Sequence, residues 1–436
     1  MEKIQILGDF EIAQQELRND KNNAVSEVYD FKKQGSGILD NAIFTIKDVY
    51  ATKEGKTKSS SLILDNFQPG YNATVVQKLF DQGAIAVGKV YNDELALGGT
   101  GLYSAYGIIK NPLNHLYLVG GSSSGSAATF TSNISFALGS DTGDSVRLPA
   151  SYNGIFGFKP SYGAISRYGM FAYASSLDTV AYFAHNVNDL FMVSKATFGK
   201  DFKDMTSVDV PLGAIEARKP KTILALDFSE FCVLEVNQAF NQVIEKFKSE
   251  GVQVDVIKPN LDILRCIKPV YQVVSFSEAS SNLANLNGIA FGERVQGQNW
   301  EEIMTRTRSE KFGKMVSERL ALGSYFLHSE NQEELFIKAQ KVRRVIKDYL
   351  NSLHESADLV IFPSFASKAP KIGEDVSYDV MDYILTGANL AGNPSLSMPL
   401  GFKDQMPFNL ELEAGIYQDS KLLQYALWVE SILGGK

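Results

Sequence analysis

The chain has 436 residues, of which 44% are hydrophobic and 21% charged. That balance supplies enough apolar side chains for a sizeable core and argues against a disordered chain. The formal net charge of −8 excludes nucleic-acid binding through bulk charge, which needs clustered Lys and Arg.

The N-terminal run MEKIQILGDFEIAQQ has neither the basic start nor the apolar stretch of a secretory signal, and it is too acidic for a typical transit peptide. No apolar run reaches the length of a membrane span, so the expected location is the cytoplasm. Residues 11–23 read as a surface helix. Residues 42–46 read as a short apolar strand running into Lys47 and Asp48. Residues 74–80 have helical spacing, Gly83 ends that helix, and residues 84–87 read as a buried strand. Residues 98–165 are rich in Gly and Ser, yet apolar residues interrupt them at core-like intervals. A layered active-site region therefore fits better than a linker. Residues 222–226, 236–247 and 252–257 give a strand, a helix and a strand, a βαβ pattern. Residues 301–350 are largely helical, with Leu335, Phe336, Ala339, Val342, Ile346 and Leu350 on one face. Residues 359–362 and 395–400 read as further strands. These alternations predict one α/β domain over 1–436, with a mainly helical insertion around 200–350.

The two cysteines, Cys232 and Cys266, show no zinc-ligand spacing and read as reduced thiols. None of the four histidines sits in an HExxH pattern or beside an obvious nucleophile. No metal site is expected. Three stretches carry chemistry instead. Phe44-Thr-Ile-Lys47-Asp48 puts a lysine at a strand end. Gly120-Gly-Ser122-Ser-Ser-Gly-Ser126 is a Gly/Ser turn opening a helix. It lacks the GK[ST] of a phosphate-binding loop, which argues against a nucleotide site. The third is Gly139-Ser-Asp141-Thr-Gly143-Asp144-Ser145-Val-Arg147-Leu-Pro149-Ala. Taken singly, each reads as an ordinary surface lysine, helix cap or turn.

In this order the three resemble the amidase signature family, and the likeness continues through Tyr152-Asn-Gly-Ile-Phe-Gly-Phe-Lys-Pro-Ser-Tyr-Gly over nearly the whole chain. The resemblance implies a mixed central β-sheet covered by helices on both faces. It also implies Ser145 as nucleophile, Ser122 as a bridging serine after a cis peptide bond, and Lys47 as base. The implied oxyanion donors are the backbone amides of Thr142, Gly143, Asp144 and Ser145. The chemistry is coherent, because a serine needs a neighbour to take its proton, and a lysine can do so only when burial makes it neutral. Asp144 departs from the family's usual glycine. A carboxylate turned toward the oxyanion would oppose it, whereas the backbone N–H survives the change. The spacing from Ser122 to Ser145 is also one residue shorter than the family's commonest form.

Further stretches are similar to the glutamine-hydrolysing subunits of tRNA-dependent amidotransferases within this family. They are Tyr271-Gln-Val-Val-Ser-Phe-Ser-Glu278, Arg308 to Gly313 with Arg319-Leu-Ala-Leu-Gly323, and Met381-Asp382 to Gly392. This likeness implies free glutamine as substrate, with Arg319 on its α-carboxylate, Asp382 on its α-ammonium and Tyr271 beside it. It also implies no cofactor in this chain. The implied partners are the tRNA-binding B component of such amidotransferases, which uses ATP and Mg²⁺, and a small third subunit. An organellar version would work in the mitochondrial matrix. The alternatives are a stand-alone amidase acting on another small amide and a non-catalytic scaffold protein.

Overall fold

In the computed structural model, which describes residues 3–30, 32 and 35–434, short apolar runs become the strands of one sheet. In chain order these are β1 (Val25–Val28), β2 (Ile43–Lys47), β3 (Ile85–Val90), β4 (Phe136–Asp141), β5 (Phe156–Lys159) and β6 (Thr179–Ala184), then β7 (Thr222–Leu226), β8 (Gln253–Ile257), β9 (Leu359–Pro363), β10 (Ser395–Lys403) and β11 (Met406–Glu413). Their order across the sheet is β1-β3-β2-β4-β6-β5-β10-β11-β9-β7-β8. β2 runs parallel to β3 and β4, and β7 runs parallel to β8 and β9, while the other neighbours are antiparallel. The sheet is therefore mixed, as the family resemblance implies.

The helices are α1 (Phe10–Arg18), α2 (Thr74–Asp81), α3 (Ser124–Ala128), α4 (Arg147–Asn153), α5 (Val187–Thr197), α6 (Leu234–Ser249) and α7 (Leu261–Leu264), then α8 (Ile267–Asn282), α9 (Trp300–Lys311), α10 (Lys314–Leu327), α11 (Lys338–Ser356), α12 (Gly387–Ala391) and α13 (Asp419–Leu433). Strand side chains alternate between two faces. Phe44, Ile46, Phe136, Leu138, Leu410 and Leu412 pack with α2, α5, α6 and α13 on one face. Ala137, Ala181 and Phe183 pack with α3 and α4 on the other, and Ile43, Ile85 and Val87 pack with α1 there. Covered on both sides, β3, β6 and β9 are buried along their whole length. None of the described helices is long and apolar enough to cross a membrane.

Two sequence readings shift. The first helix is α1, shorter than residues 11–23, and Phe10, Ala13 and Leu17 bury one face of it. It stops because the Asp20 carboxylate accepts from the backbone N–H groups of Asn22 and Ala24, a local turn that competes with helix. Within residues 200–350, β7, α6 and β8 extend the main sheet through β9, so the helical layer begins only at α7. The Gly/Ser-rich stretch holds α3, β4, α4 and β5. Both cysteines are free.

α10 crosses α8 at Gly323, where a Cβ would stand 1.9 Å from the Phe276 carbonyl oxygen. Alanine gains about 1 kcal/mol of helix propensity over glycine. Overpacking against backbone that cannot swing aside costs about 1–3 kcal/mol. The steric term wins, so Gly323→Ala should lower stability in chemical denaturation. An unchanged midpoint would show that the two helices can separate freely.

Candidate active site

Parallel β2 and β4 end side by side, with Lys47 on one and Asp141 on the other. Lys47 is fully buried. Its Nζ donates to Ser122 Oγ at 2.8 Å, Ser140 Oγ at 2.9 Å and Ser123 Oγ at 3.0 Å. Among the described residues no carboxylate pairs with it, because neighbouring Asp48 is taken up by Lys89 at 3.0 Å. Burial therefore dominates and pushes the Lys47 ammonium down to about 7, against the opposing charges of Asp93, Asp141 and Asp178. The Gly121–Ser122 peptide bond is cis. Asp93 braces this turn: its carboxylate accepts from the N–H groups of Thr100, Gly101 and Tyr103, and its own N–H donates to the Ser122 carbonyl at 3.3 Å. Only glycine fits at 121, since a Cβ there would lie 2.2 Å from Asp93 Oδ2.

Ser145 lies in the turn between β4 and α4. Its carbonyl accepts from the Ser123 N–H at 3.2 Å, which ties it to the residue after Ser122. Arg147, at the start of α4, is fully buried and holds this turn. It forms a forked pair with Asp141, at 2.9 and 3.2 Å, and donates to the Gly143 carbonyl at 2.8 Å, Asn389 Oδ1 at 2.6 Å and the Leu385 carbonyl at 2.6 Å. In a trans peptide the C=O and N–H point opposite ways. Anchoring the Gly143 carbonyl on Arg147 thus aims the Asp144 N–H away from the guanidinium. Among the described residues, the N–H groups of Thr142, Gly143, Asp144 and Ser145 have no protein acceptor. Thr142 Oγ1 donates to Asp178 at 2.7 Å, fixing the start of the turn.

The helical layer covers this turn. The Tyr271 ring, on α8, lies 3.1 Å from where a Cβ of Gly143 would stand. Arg319, on α10, donates from Nη1 to Tyr173 Oη at 3.1 Å and from Nε to Met315 Sδ at 3.2 Å, and its guanidinium lies 5.1 Å from the Phe276 ring centre. Among the described residues Arg319 has no carboxylate partner, and its second Nη donates to nothing. Asp382 precedes Tyr383, whose ring centre is 6.3 Å from that of Tyr271. Its carboxylate accepts from Ser377 Oγ at 2.6 Å and the Tyr378 N–H at 3.0 Å, with no bond to Arg319. The Asp144 side chain is half-buried. Burial, then the Asp141 charge, pushes its carboxyl up to about 7, while Arg147 and Arg319 oppose the rise.

Sequence reasoning passed over Asp93, Ser123, Ser140, Tyr173, Asp178 and Asn389 as site residues. Ser123, Ser140 and Asn389 stand within the motifs and so carried a signal. Asp93, Tyr173 and Asp178 reach the site only through folding. Three of the histidines are engaged elsewhere: His115 meets Asn22, His185 the Ile134 carbonyl and His354 Glu413. No group of three His, Cys, Asp or Glu among the described residues is placed to hold a metal ion.

The sheet, the buried lysine and the serine-bearing turns together define an amidase-type protein. The amidase family model matches residues 11–423, and the chain belongs to that family. It is 37% identical over 430 residues to the A-type subunit of glutamyl-tRNA(Gln) amidotransferase from Sulfolobus acidocaldarius, covering 95% of this chain and 90% of that one. It is 38% identical to the protein of the same name from Legionella pneumophila, covering 90% and 84%. Among solved structures, the corresponding amidotransferase protein from Thermotoga maritima superposes with a TM-score of 0.81 at 31% identity, over 97% of this chain and 90% of that one.

Replacing Arg147 by leucine leaves Asp141 buried without its cation. Breaking a buried pair from one side costs about 3–5 kcal/mol. Arg147→Leu should therefore lose that much stability in chemical denaturation, and a loss below about 1 kcal/mol would mean that the turn does not depend on the pair.

Proposed function

We propose that the chain is the glutamine-hydrolysing subunit of a glutamyl-tRNA(Gln) amidotransferase. Neutral Lys47 takes a proton from Ser122, which takes one from Ser145. The Ser145 oxygen attacks the side-chain amide carbon of glutamine, and the amides of Thr142 to Ser145 receive the oxyanion. The proton returns to the leaving nitrogen, ammonia departs, and water hydrolyses the glutamyl ester to glutamate. Ammonia then passes to the tRNA-binding B component, where ATP and Mg²⁺ activate the tRNA-bound glutamate, and a small third subunit joins the two. The tRNA is held by the partner, which agrees with the −8 charge of this chain.

Arg319 is the observation that carries this reading. A half-buried guanidinium with no carboxylate of its own among the described residues, linked through Tyr173 and Asp178 to the turn that bears Ser145, suits the α-carboxylate of a free amino acid. Asp382 would receive the α-ammonium, and Tyr271 closes over the turn between them. An amidase for carboxylate-free amides would need the lysine and serines but not Arg319.

Arg319→Ala tests the substrate. Each charge-assisted hydrogen bond contributes about 1.5–3 kcal/mol, so kcat/KM for glutamine should fall about ten- to a hundredfold. The value for a simple amide without a carboxylate should change little. Equal losses on both substrates would make Arg319 structural and remove the glutaminase reading.

The pH profile tests the base. Lys47 works only when neutral, so kcat/KM should fall on the acid side through about 7. Asp144 titrates in the same window, but Asp144→Gly separates the two. The acid limb should persist in that variant if it belongs to Lys47, and its disappearance would assign the limb to Asp144.

A further inference from the structure

Beneath α4 the sheet presents an unusual face. Ser395 and Ser397 of β10 and Asn409, Glu411 and Glu413 of β11 alternate with core leucines and Met398, and all five are buried. Ser395 Oγ meets three groups: Arg147 Nη1 at 3.2 Å, Glu413 Oε1 at 3.1 Å and, closer still, Glu411 Oε1. A hydroxyl has one proton and two lone pairs. Arg147 can only donate, so it occupies a lone pair. The single serine proton can serve one carboxylate, and the other carboxyl has to bring its own proton. Glu413 has nitrogen partners in His354 at 3.3 Å and Asn393 at 3.4 Å. Among the described residues Glu411 has only the Ser364 hydroxyl, at 2.9 Å, on its other oxygen. Glu413 is thus the better anion and Glu411 the better acid.

We propose that Glu411 is held as a neutral carboxylic acid donating to Ser395 Oγ, and that it is a positioning residue for Arg147 and hence for the Gly143–Asp144 peptide. The functional half of this inference rests on the glutaminase reading above. The surrounding charges agree with it. Arg147 on α4 and Lys159 on β5 face Asp141 on β4 and Glu413, with His354 on α11 and Asp419 on α13 at the edges. Two cations already meet two anions at the centre, so an ionised Glu411 would add a buried charge without a partner. Burial pushes the Glu411 carboxyl up to about 8, whereas Glu413 is held below its ordinary value by His354 and Arg147 despite burial.

Three variants of the full chain, with its partner subunits for activity, test this. E411Q keeps a neutral donor in place. E411L removes the donor, and S395A removes the acceptor. In infrared difference spectra, wild type at neutral pH should show a protonated-carboxyl C=O band that is absent from E411Q and titrates away near pH 8. The same band should shift in S395A. The folded chain keeps a proton that the unfolded chain releases above 4.5, so wild-type stability should fall relative to E411Q as pH rises from there through about 8. E411L should lower kcat for glutamine about tenfold or more with KM unchanged, because the turn and not the substrate contacts is disturbed, and E411Q should restore it. No such band in wild type, parallel stability curves, or an E411L enzyme as active as wild type would overturn the proposal. The spectra and stability curves need no substrate. Loss of the glutaminase reading would leave them standing, whereas a missing band would sink the Glu411 inference alone.

Discussion

Arg147 is the constraint on which the site depends. A guanidinium buried among backbone carbonyls is costly unless nearly every N–H finds an acceptor. Here the acceptors come from Asp141 at the end of β4, from Gly143 in the turn, and from Leu385 and Asn389 in and before α12. Asn389 closes the ring by donating to the Asp141 carboxylate and carbonyl, each at 3.0 Å. Satisfying one cation therefore fixes a turn that has no regular hydrogen bonding of its own. That turn can leave four successive N–H groups without acceptors among the described residues because its carbonyl side is so firmly held.

Lys47 works by the opposite logic. Arg147 is given a carboxylate and stays charged. Lys47 is given hydroxyls, which accept from it without stabilising its charge as an anion would. The three aspartates that influence it are all engaged elsewhere: Asp93 with backbone N–H groups, Asp141 with Arg147 and Asp178 with Thr142. Desolvation then decides the balance and brings the amine into the neutral range. Two cations at the ends of neighbouring elements so have different protonation, set by which oxygen each one meets.

Local patterns carried the strands well, because a strand buried on both faces leaves an unbroken apolar run. The span of β7 was legible residue for residue, and β9 to within its terminal proline. β1 was not, since its four residues are all half-buried and no run stands out. In the site, Lys47 and Ser122 stood out because each sits in or beside a dense motif, whereas Arg147 stood in one without a role being read for it. Asp178 did not stand out. It lies in an unremarkable stretch and gains its place only when β6 pairs with β4 and brings it to Thr142. Tyr173 likewise has no pattern around it. Its hydroxyl matters because α8 and α10 converge on it, through Ser275 at 3.0 Å and Arg319 at 3.1 Å.

Lys47 ends a strand of the sheet, and Tyr271 and Arg319 come from the helical layer that covers the Ser145 turn, so the two have to be held in register. Two contacts do this. Asp178 joins the turn that bears Ser145 to the Tyr173–Ala174 backbone, and Tyr173 in turn meets Arg319. Glu94, one residue from Asp93, accepts from the Gly313 N–H at 2.8 Å at the start of α10. A Cβ on Gly313 would lie 2.4 Å from that carboxylate, so the approach depends on glycine. Gly323 then seats α10 against α8. None of these contacts is made by Lys47, Ser122 or Ser145. The helices can therefore change the residues they turn toward the Ser145 turn while Lys47, Ser122 and Ser145 keep their geometry. A family with one reactive core and many substrates follows from that separation.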